Sequence, residues 1–267
     1  MSTETIEGRI EGAWVAPRNL WQDAPNSIHN DAVARRIGMR GGTIPGTVHL
    51  THFRPILERL AGDRWLRRGS ISLYYTFATT DGEEVRAIVA APADLTDAHD
   101  LHFDAWVEDR EGRTVAKGTI AIGAPDATSY IRGLPLDERD GGEVRILRGM
   151  TAGMATPARD DYRIKTGEDG EVCDFAQMHR ALSTFPEEVK TAPAVGFFGA
   201  TEIVLHAGPL RVDTRYRKSG KVAAFGATPK TEYAWIDSWL HGEDGTLIAE
   251  TRHMTRWMKS SSPLWAE

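Results

Sequence analysis

A stretch of this chain occurs twice, and that repeat limits its possible folds more than any other feature. Asp104-Ala-Trp106-Val107-Glu-Asp-Arg-Glu-Gly112-Arg-Thr-Val115-Ala116 returns without a gap as Asp237-Ser-Trp239-Leu240-His-Gly-Glu-Asp-Gly245-Thr-Leu-Ile248-Ala249. From Asp104 to Asp237 the offset is 133 residues, almost half of the 267. Asp, Trp, Gly and Ala keep their places, and the apolar positions exchange only Val for Leu or Ile. Each copy reads as a strand, a charged turn with Gly, and a returning strand. Internal self-similarity of this kind implies two copies of one folding unit. The expected division is residues 1–125 and 126–267.

The flanking segments extend the pattern. Ile71, Leu73, Tyr75 and Phe77 alternate with Ser72, Tyr74 and Thr76, the period of a half-buried strand. Asp81-Gly82 marks a turn into Val85–Ala91, which stops at Pro92. In the second half, Leu210 to Arg217 alternates, Ser219-Gly220 reads as a turn, and Val222 to Phe225 returns. Leu101 to Val107, Thr231 to Leu240 and Arg252 to Lys259 supply further strands. The expectation is one curved antiparallel sheet per half.

Helical patterning is scarcer and precedes the strands. Asn30 or Asp31 can cap a short helix that runs to Ile37 and ends at Gly38. A longer helix starts near Pro45-Gly46 with Leu50, Phe53, Leu57 and Leu60 on one stripe, and Pro55 predicts a break inside it. Phe175 to Val189 carries a weaker helical pattern, interrupted at Pro186. Gly123 to Gly142, rich in Pro, Gly and Asp, reads as the crossover between halves. The fold class is therefore α+β, with a helix wrapped by a long antiparallel sheet, duplicated in tandem.

Composition narrows the setting. With 32 Lys+Arg against 38 Asp+Glu the formal charge is −6, which argues against nucleic acid or an anionic membrane as partner. The single cysteine, Cys173, can form neither an intramolecular disulfide nor a multi-cysteine metal site. No apolar run reaches the roughly 18 residues of a membrane span, and the polar, acidic opening segment is unlike a secretory leader. A cytoplasmic protein is expected.

The segment Asn26-Ser-Ile-His29-Asn-Asp31, followed by Ala32-x-Ala34 and Gly38-Met-Arg-Gly41-Gly-Thr-Ile44-Pro-Gly46, resembles the signature of the MaoC-like, (R)-specific enoyl-CoA hydratase branch of the hotdog superfamily. The resemblance implies a tandem double hotdog that adds water to, or removes it from, an enoyl thioester. In that reading coenzyme A is part of the substrate, no separate cofactor is needed, the partner is a small acyl thioester, and chains pair as homodimers. His29 falls on the family's catalytic histidine, and an imidazole suits a general base because its ordinary pKa lies near neutrality. Gly46 and Thr47 fall on the helix start that would hold the thioester carbonyl with backbone N–H groups.

The family's acid lies five residues before the histidine, where this chain has Ala24. Three alternatives follow: Asp23 replaces it across a bulge, His29 works with Asn26 and water, or hydratase activity is lost. Asp31 reads first as a helix cap and second as a substrate contact. His49-x-x-His52 and His99-x-x-His102 have a spacing that metals use, but without a supporting third ligand they read as structural. His49 and His52 are candidates to line the ligand tunnel. Arg64, Arg67 and Arg68, or Arg215, Arg217, Lys218 and Lys221, are candidate contacts for coenzyme A phosphates. Two rivals remain. A hotdog thioesterase would need a carboxylate near the central helix, for which Glu58 is the one candidate. An acyl-CoA or lipid-binding protein without catalysis would need only the pocket. The same pocket serving a lyase for a non-CoA substrate is a further alternative.

Overall fold

The structure is a computed structural model that describes residues 8–91, 100–123, 128–136 and 142–266. In the first half, β1 (Ile10–Glu11) leads through α1 (Asp31–Arg36), α2 (Val48–Thr51), α3 (Arg54–Ala61) and α4 (Arg64–Arg67). Four strands follow: β2 (Gly69–Tyr75), β3 (Val85–Val89), β4 (Leu101–Asp109) and β5 (Thr114–Ile122). The second half runs β6 (Arg159–Arg163), α5 (Phe175–Leu182), β7 (Gly196–Leu205), β8 (Arg215–Ala227), β9 (Thr231–His241) and β10 (Leu247–Met258).

The strands form one antiparallel sheet in the order β1-β3-β4-β5-β2-β7-β10-β9-β8-β6. Every strand of the first half finds its counterpart at the mirror position of the second, β1 with β6, β2 with β7, and so on outward and inward. The repeated hairpins agree residue by residue. Trp106 faces Lys117 across β4 and β5, and Trp239 faces Glu250 across β9 and β10. The duplication read from the sequence is thus a duplication of topology.

Two expectations are corrected. The sheet is continuous rather than one per half, because β2 and β7 pair edge to edge from Gly69 opposite Leu205 to Tyr74 opposite Ala200. Joining them removes two open edges that would otherwise present unpaired backbone groups. Ser219-Gly220 is no turn: β8 runs straight through it. Gly220 is there for close approach, since a Cβ would sit 2.7 Å from Thr156 Oγ1 and 2.8 Å from the Asp237 carbonyl oxygen. The boundary between 125 and 126 lies outside the described residues, as does His99.

The helices lie where the patterning put them. Asn30 Oδ1 accepts from the amides of Ala32 and Val33 and starts α1, and Gly38 beyond its end has φ +86°. The central helix breaks before Pro55, giving α2 and α3. Leu50, Phe53 and Leu57 on the buried stripe meet Phe175, Met178 and Leu182 of α5 in one core. Trp65 and Phe175 bring their rings within 5.1 Å across the halves. Each such side chain contributes about 2 kcal/mol of burial energy. On the other sheet face the crossover is pinned at the seam. Ile131 N–H donates to Ser72 Oγ at 3.0 Å, and Arg132 Nε to the buried Glu202 at 2.7 Å.

Candidate active site

The loop before α1 is held by a set of side chain to backbone bonds that together fix His29. Asn19, 8 % exposed, donates from Nδ2 to the His29 carbonyl at 2.7 Å, while its own amide donates to Asp81 Oδ1 at 2.6 Å. The Thr43 amide donates to the Ile28 carbonyl at 2.9 Å, so the strand-like segment 42–44 lies alongside the loop. Gly42 makes that approach possible, because a Cβ there would stand 2.3 Å from the His29 carbonyl oxygen. Its amide donates to Asp31 Oδ1 at 2.7 Å.

The His29 ring Nδ1 lies 2.7 Å from the Thr43 carbonyl oxygen. A carbonyl only accepts, so Nδ1 carries the proton and Nε2 keeps its lone pair. Burial pushes the imidazole pKa below its usual value, partly offset by the bond to Thr43. His29 is therefore neutral at pH 7, with a basic nitrogen that has no hydrogen-bond partner among the described residues. The Trp21 ring stands 6.1 Å away, centroid to centroid.

His29 lines a cavity of about 290 Å³ together with Thr43, Gly46, His49, Tyr75 and the β7 residues Gly196 to Phe198. Both halves therefore build it. At its wall the chain enters α2. The amides of Gly46 and Thr47 find no acceptor among the described residues, and Thr47 makes no side-chain cap. The corresponding helix of the second half is closed differently. Asp174 accepts from the Gln177 amide at 2.7 Å and Gln177 Oε1 accepts from the Asp174 amide at 2.6 Å, a reciprocal cap. The open helix entry and the imidazole belong to the first half alone.

Gly46 is spatially required. A Cβ on it would meet the Tyr75 ring at 2.7 to 2.9 Å. His49, one turn further along, is 2 % exposed and its Nε2 lies 3.2 Å from Thr79 Oγ1. Burial lowers its pKa to about 3, and that of His52 to about 4. Their rings are 5.5 Å apart. Both are neutral imidazoles.

Of the residues singled out in the sequence, His29, Gly46 and His49 meet on the cavity. Thr47 is buried beside Gly46, and His52 lies behind His49. Asp23 is exposed on the loop and does not line the cavity. Asn26, with φ +54°, lines a separate 470 Å³ hollow with Arg36, Glu187 and Lys190. Asp31 serves the loop through Gly42 and pairs with Arg35 at 3.1 Å. No carboxylate lines the His29 cavity among the described residues. Glu58 is elsewhere, 2.8 Å from Arg54. Of the basic candidates, Arg67 pairs with Asp63, Arg215 with Asp161 and Glu243, and Lys218 donates to the Ser183 carbonyl. None of them lines the cavity. Sequence reading missed Thr43 and Tyr75 as wall residues. For Tyr75 a signal existed, since its phase with Ile71 and Leu73 turns a phenol inward, where the hydroxyl needs a partner.

Among the described residues no helix is long and apolar enough to cross a membrane, and no group of three His, Cys, Asp or Glu is placed to hold a metal ion. No family model matches the chain, and no curated protein matches it in sequence. Solved structures do match in shape. A conserved hypothetical protein from Mycobacterium tuberculosis, described as having a double hotdog fold, aligns with TM-score 0.55 at 12 % identity over 94 % of this chain and 96 % of that one. A Chloroflexus aurantiacus protein provisionally described as a MaoC domain dehydratase aligns with TM-score 0.51 at 10 % identity, over 96 % and 99 %. A Lactobacillus plantarum protein provisionally described as an oleoyl thioesterase aligns with TM-score 0.52 at 8 % identity, over 95 % and 99 %. With the mirrored strand order and two helix-bearing halves, these likenesses establish that the chain has the double hotdog fold.

Proposed function

We propose that this protein hydrates or dehydrates an acyl thioester, with His29 as the proton carrier. One observation carries the reading: the neutral imidazole of His29 and Gly46, whose amide has no acceptor among the described residues, line the same chamber between the halves, with the Thr47 amide next along the chain. Hydration needs a base for water and donors for the oxygen that gains charge. In the forward direction His29 Nε2 takes a proton from water as its oxygen bonds to the β-carbon of the enoyl group. The electron pair moves through the double bond onto the thioester oxygen, where the two amides stabilise it. The imidazolium then returns its proton to the α-carbon, and no net charge remains.

This scheme uses one residue for both proton transfers, in keeping with the absence of a carboxylate from the described wall. That same absence weighs against hydrolysis driven by a carboxylate, for which Glu58 is wrongly placed. It also supports a second reading, in which the pocket binds an acyl thioester without turning it over. The two are separated with crotonyl-CoA, by following loss of enoyl absorbance and release of free thiol together. Enoyl loss without thiol, abolished in His29→Ala, supports hydration. Thiol release that survives His29→Ala would replace it with a hydrolase, and binding without turnover would leave only the pocket.

A further inference from the structure

The chamber that holds His29 has no Lys or Arg in its described wall, so it offers an anion no counter-charge. The exposed residues of its lining are Thr76 and Gly196, and they mark where it opens. Beside Thr76 the cations are already paired. Arg40 and Arg113 lie over the Phe77 ring, 4.6 and 4.4 Å from its centroid. Glu83 holds Arg40 and Asp109 holds Arg113, each at 2.6 Å.

The Gly196 side differs. Val195, the residue before it, borders the open hollow that Asn26, Arg36, Glu187 and Lys190 also line. Ile28, Met39 and Phe197 line the chamber, Val195 lines the hollow, and all four belong to one apolar cluster. One layer of side chains therefore separates the two spaces. In the hollow Lys190 pairs with Glu187, which leaves the charge of Arg36 uncancelled. Arg9, Arg18, Arg35 and Arg40, the other arginines up to Arg40, each pair with a carboxylate. Arg36 has no such partner among the described residues, and the Asn26 side chain has no hydrogen bond among them.

We infer that this hollow seats the phosphate-bearing nucleotide of a coenzyme A thioester, with Arg36 as its charged contact and Lys190 and Asn26 beside it. The inference rests on the acyl-thioester reading above and adds where the carrier's anionic end goes. A phosphate inside the chamber would lack a counter-charge, which is costly in an interior. An exposed, unpaired guanidinium meets a phosphate without that cost and offers it a fork of donors. The spacing is consistent. Helix α1, six residues long, sets Arg36 about 9 Å of helix beyond the His29 loop. A thioester at Gly46 and a phosphate at Arg36 thus need a flexible spacer, and the pantetheine arm is one.

The test is calorimetric titration of the intact protein with butyryl-CoA and with butyryl-pantetheine, which keeps the arm and the thioester but lacks the nucleotide. Both acyl groups are saturated, so neither ligand can be hydrated during the titration. Butyryl-CoA is expected to bind the more tightly. Arg36→Glu should weaken butyryl-CoA about tenfold, through a lost attraction and an added repulsion, and leave butyryl-pantetheine within about twofold. Arg36→Lys, which keeps the charge, should retain most of the affinity for butyryl-CoA. Equal binding of the two ligands by the wild type, or no effect of Arg36→Glu on butyryl-CoA, overturns the inference and leaves the thioester reading standing. Equal weakening of both ligands by Arg36→Glu also overturns it, because Arg36 would then act on the chamber and not on the nucleotide. If neither ligand binds the wild type, the thioester reading itself fails, and the inference with it.

Discussion

His29 Nδ1 donates to the backbone carbonyl of Thr43 across 2.7 Å, so the chain's own main chain selects the tautomer of the imidazole. Nearby, the carbonyl of His29 is held by Asn19 and the amide of Gly42 by Asp31. The ring is oriented before any substrate arrives, which is what a general base requires. Because the carbonyl partner cannot be protonated, the only titration at this site is that of Nε2.

The sign of the pH dependence follows. Burial holds the His29 pKa below 6.5, so the basic form is complete at neutral pH and is lost only on acidification. With crotonyl-CoA, kcat/KM is expected to be flat above pH 7 and to fall about tenfold per unit in the acid limb. His29→Ala should cost about a thousandfold. A rate that rises on acidification would show that the imidazolium, and not the imidazole, is the working form.

Gly46 offers a steric test. A methyl group at that position would stand 2.7 Å from the Tyr75 ring, so either the ring or the helix entry must move. Gly46→Ala is expected to lower stability by about 2 kcal/mol, the usual cost of overpacking. It should lower turnover by about a hundredfold through the displaced amides. Thermal melting and initial rates on one preparation check both. Wild-type rates in Gly46→Ala would remove the helix entry from the site.

Asn19 acts only through His29. Its Nδ2 holds the His29 carbonyl and its Oδ1 accepts from the Trp21 amide at 3.1 Å, so Asn19→Ala frees the loop at both points. The expected effect is a fall in kcat of about tenfold to a hundredfold with a much smaller change in KM. Asn19→Asp retains the acceptor toward Trp21 but lacks the donor toward His29, and it should fall on the same side as Asn19→Ala. A change in KM alone would assign the loop to binding.

Much of this architecture was legible because it rests on periodicity and repetition. The offset from Asp104 to Asp237 is written in identities, and hairpins at equal spacing fold alike. Pro55 and Gly38 act locally, so the break and the stop they predict appear where they stand. The pairing of β2 with β7 was not legible: both read as apolar strands, and nothing in Ile71 or Ile203 names its partner. Gly220 misled because glycine serves turns and close approaches equally, and only the position of Thr156 decides between them. At the site, His29 and Gly46 were readable from a local motif. Asn19, Tyr75 and Phe198 come from three separate segments, and only the fold brings them near. The buried Glu232 is a similar case. It accepts from the amides of Arg145, Ile146 and Leu147 at 2.8 to 2.9 Å, a role no spacing announces.

The same folding buries four imidazoles, and this makes the protein acid-labile in a specific window. His49, His52 and His179 have pKa values lowered to about 3, about 4 and about 4, and burial holds His253 well below its usual value. In the unfolded chain each titrates near 6.5. Between 6.5 and the depressed folded values the unfolded state binds protons that the folded state refuses, so stability falls as pH falls. Each imidazole contributes roughly 1 kcal/mol of loss between pH 6.5 and 5.5, or about 4 kcal/mol for the four. That is a large part of an ordinary domain's stability. Urea titrations at the two pH values should show the midpoint dropping with an unchanged slope. His253→Gln should recover about a quarter of the difference between the two pH values, whatever it does to stability at pH 7. A midpoint independent of pH across this window would mean that these rings charge freely inside the fold, and that their surroundings are wetter than their burial implies.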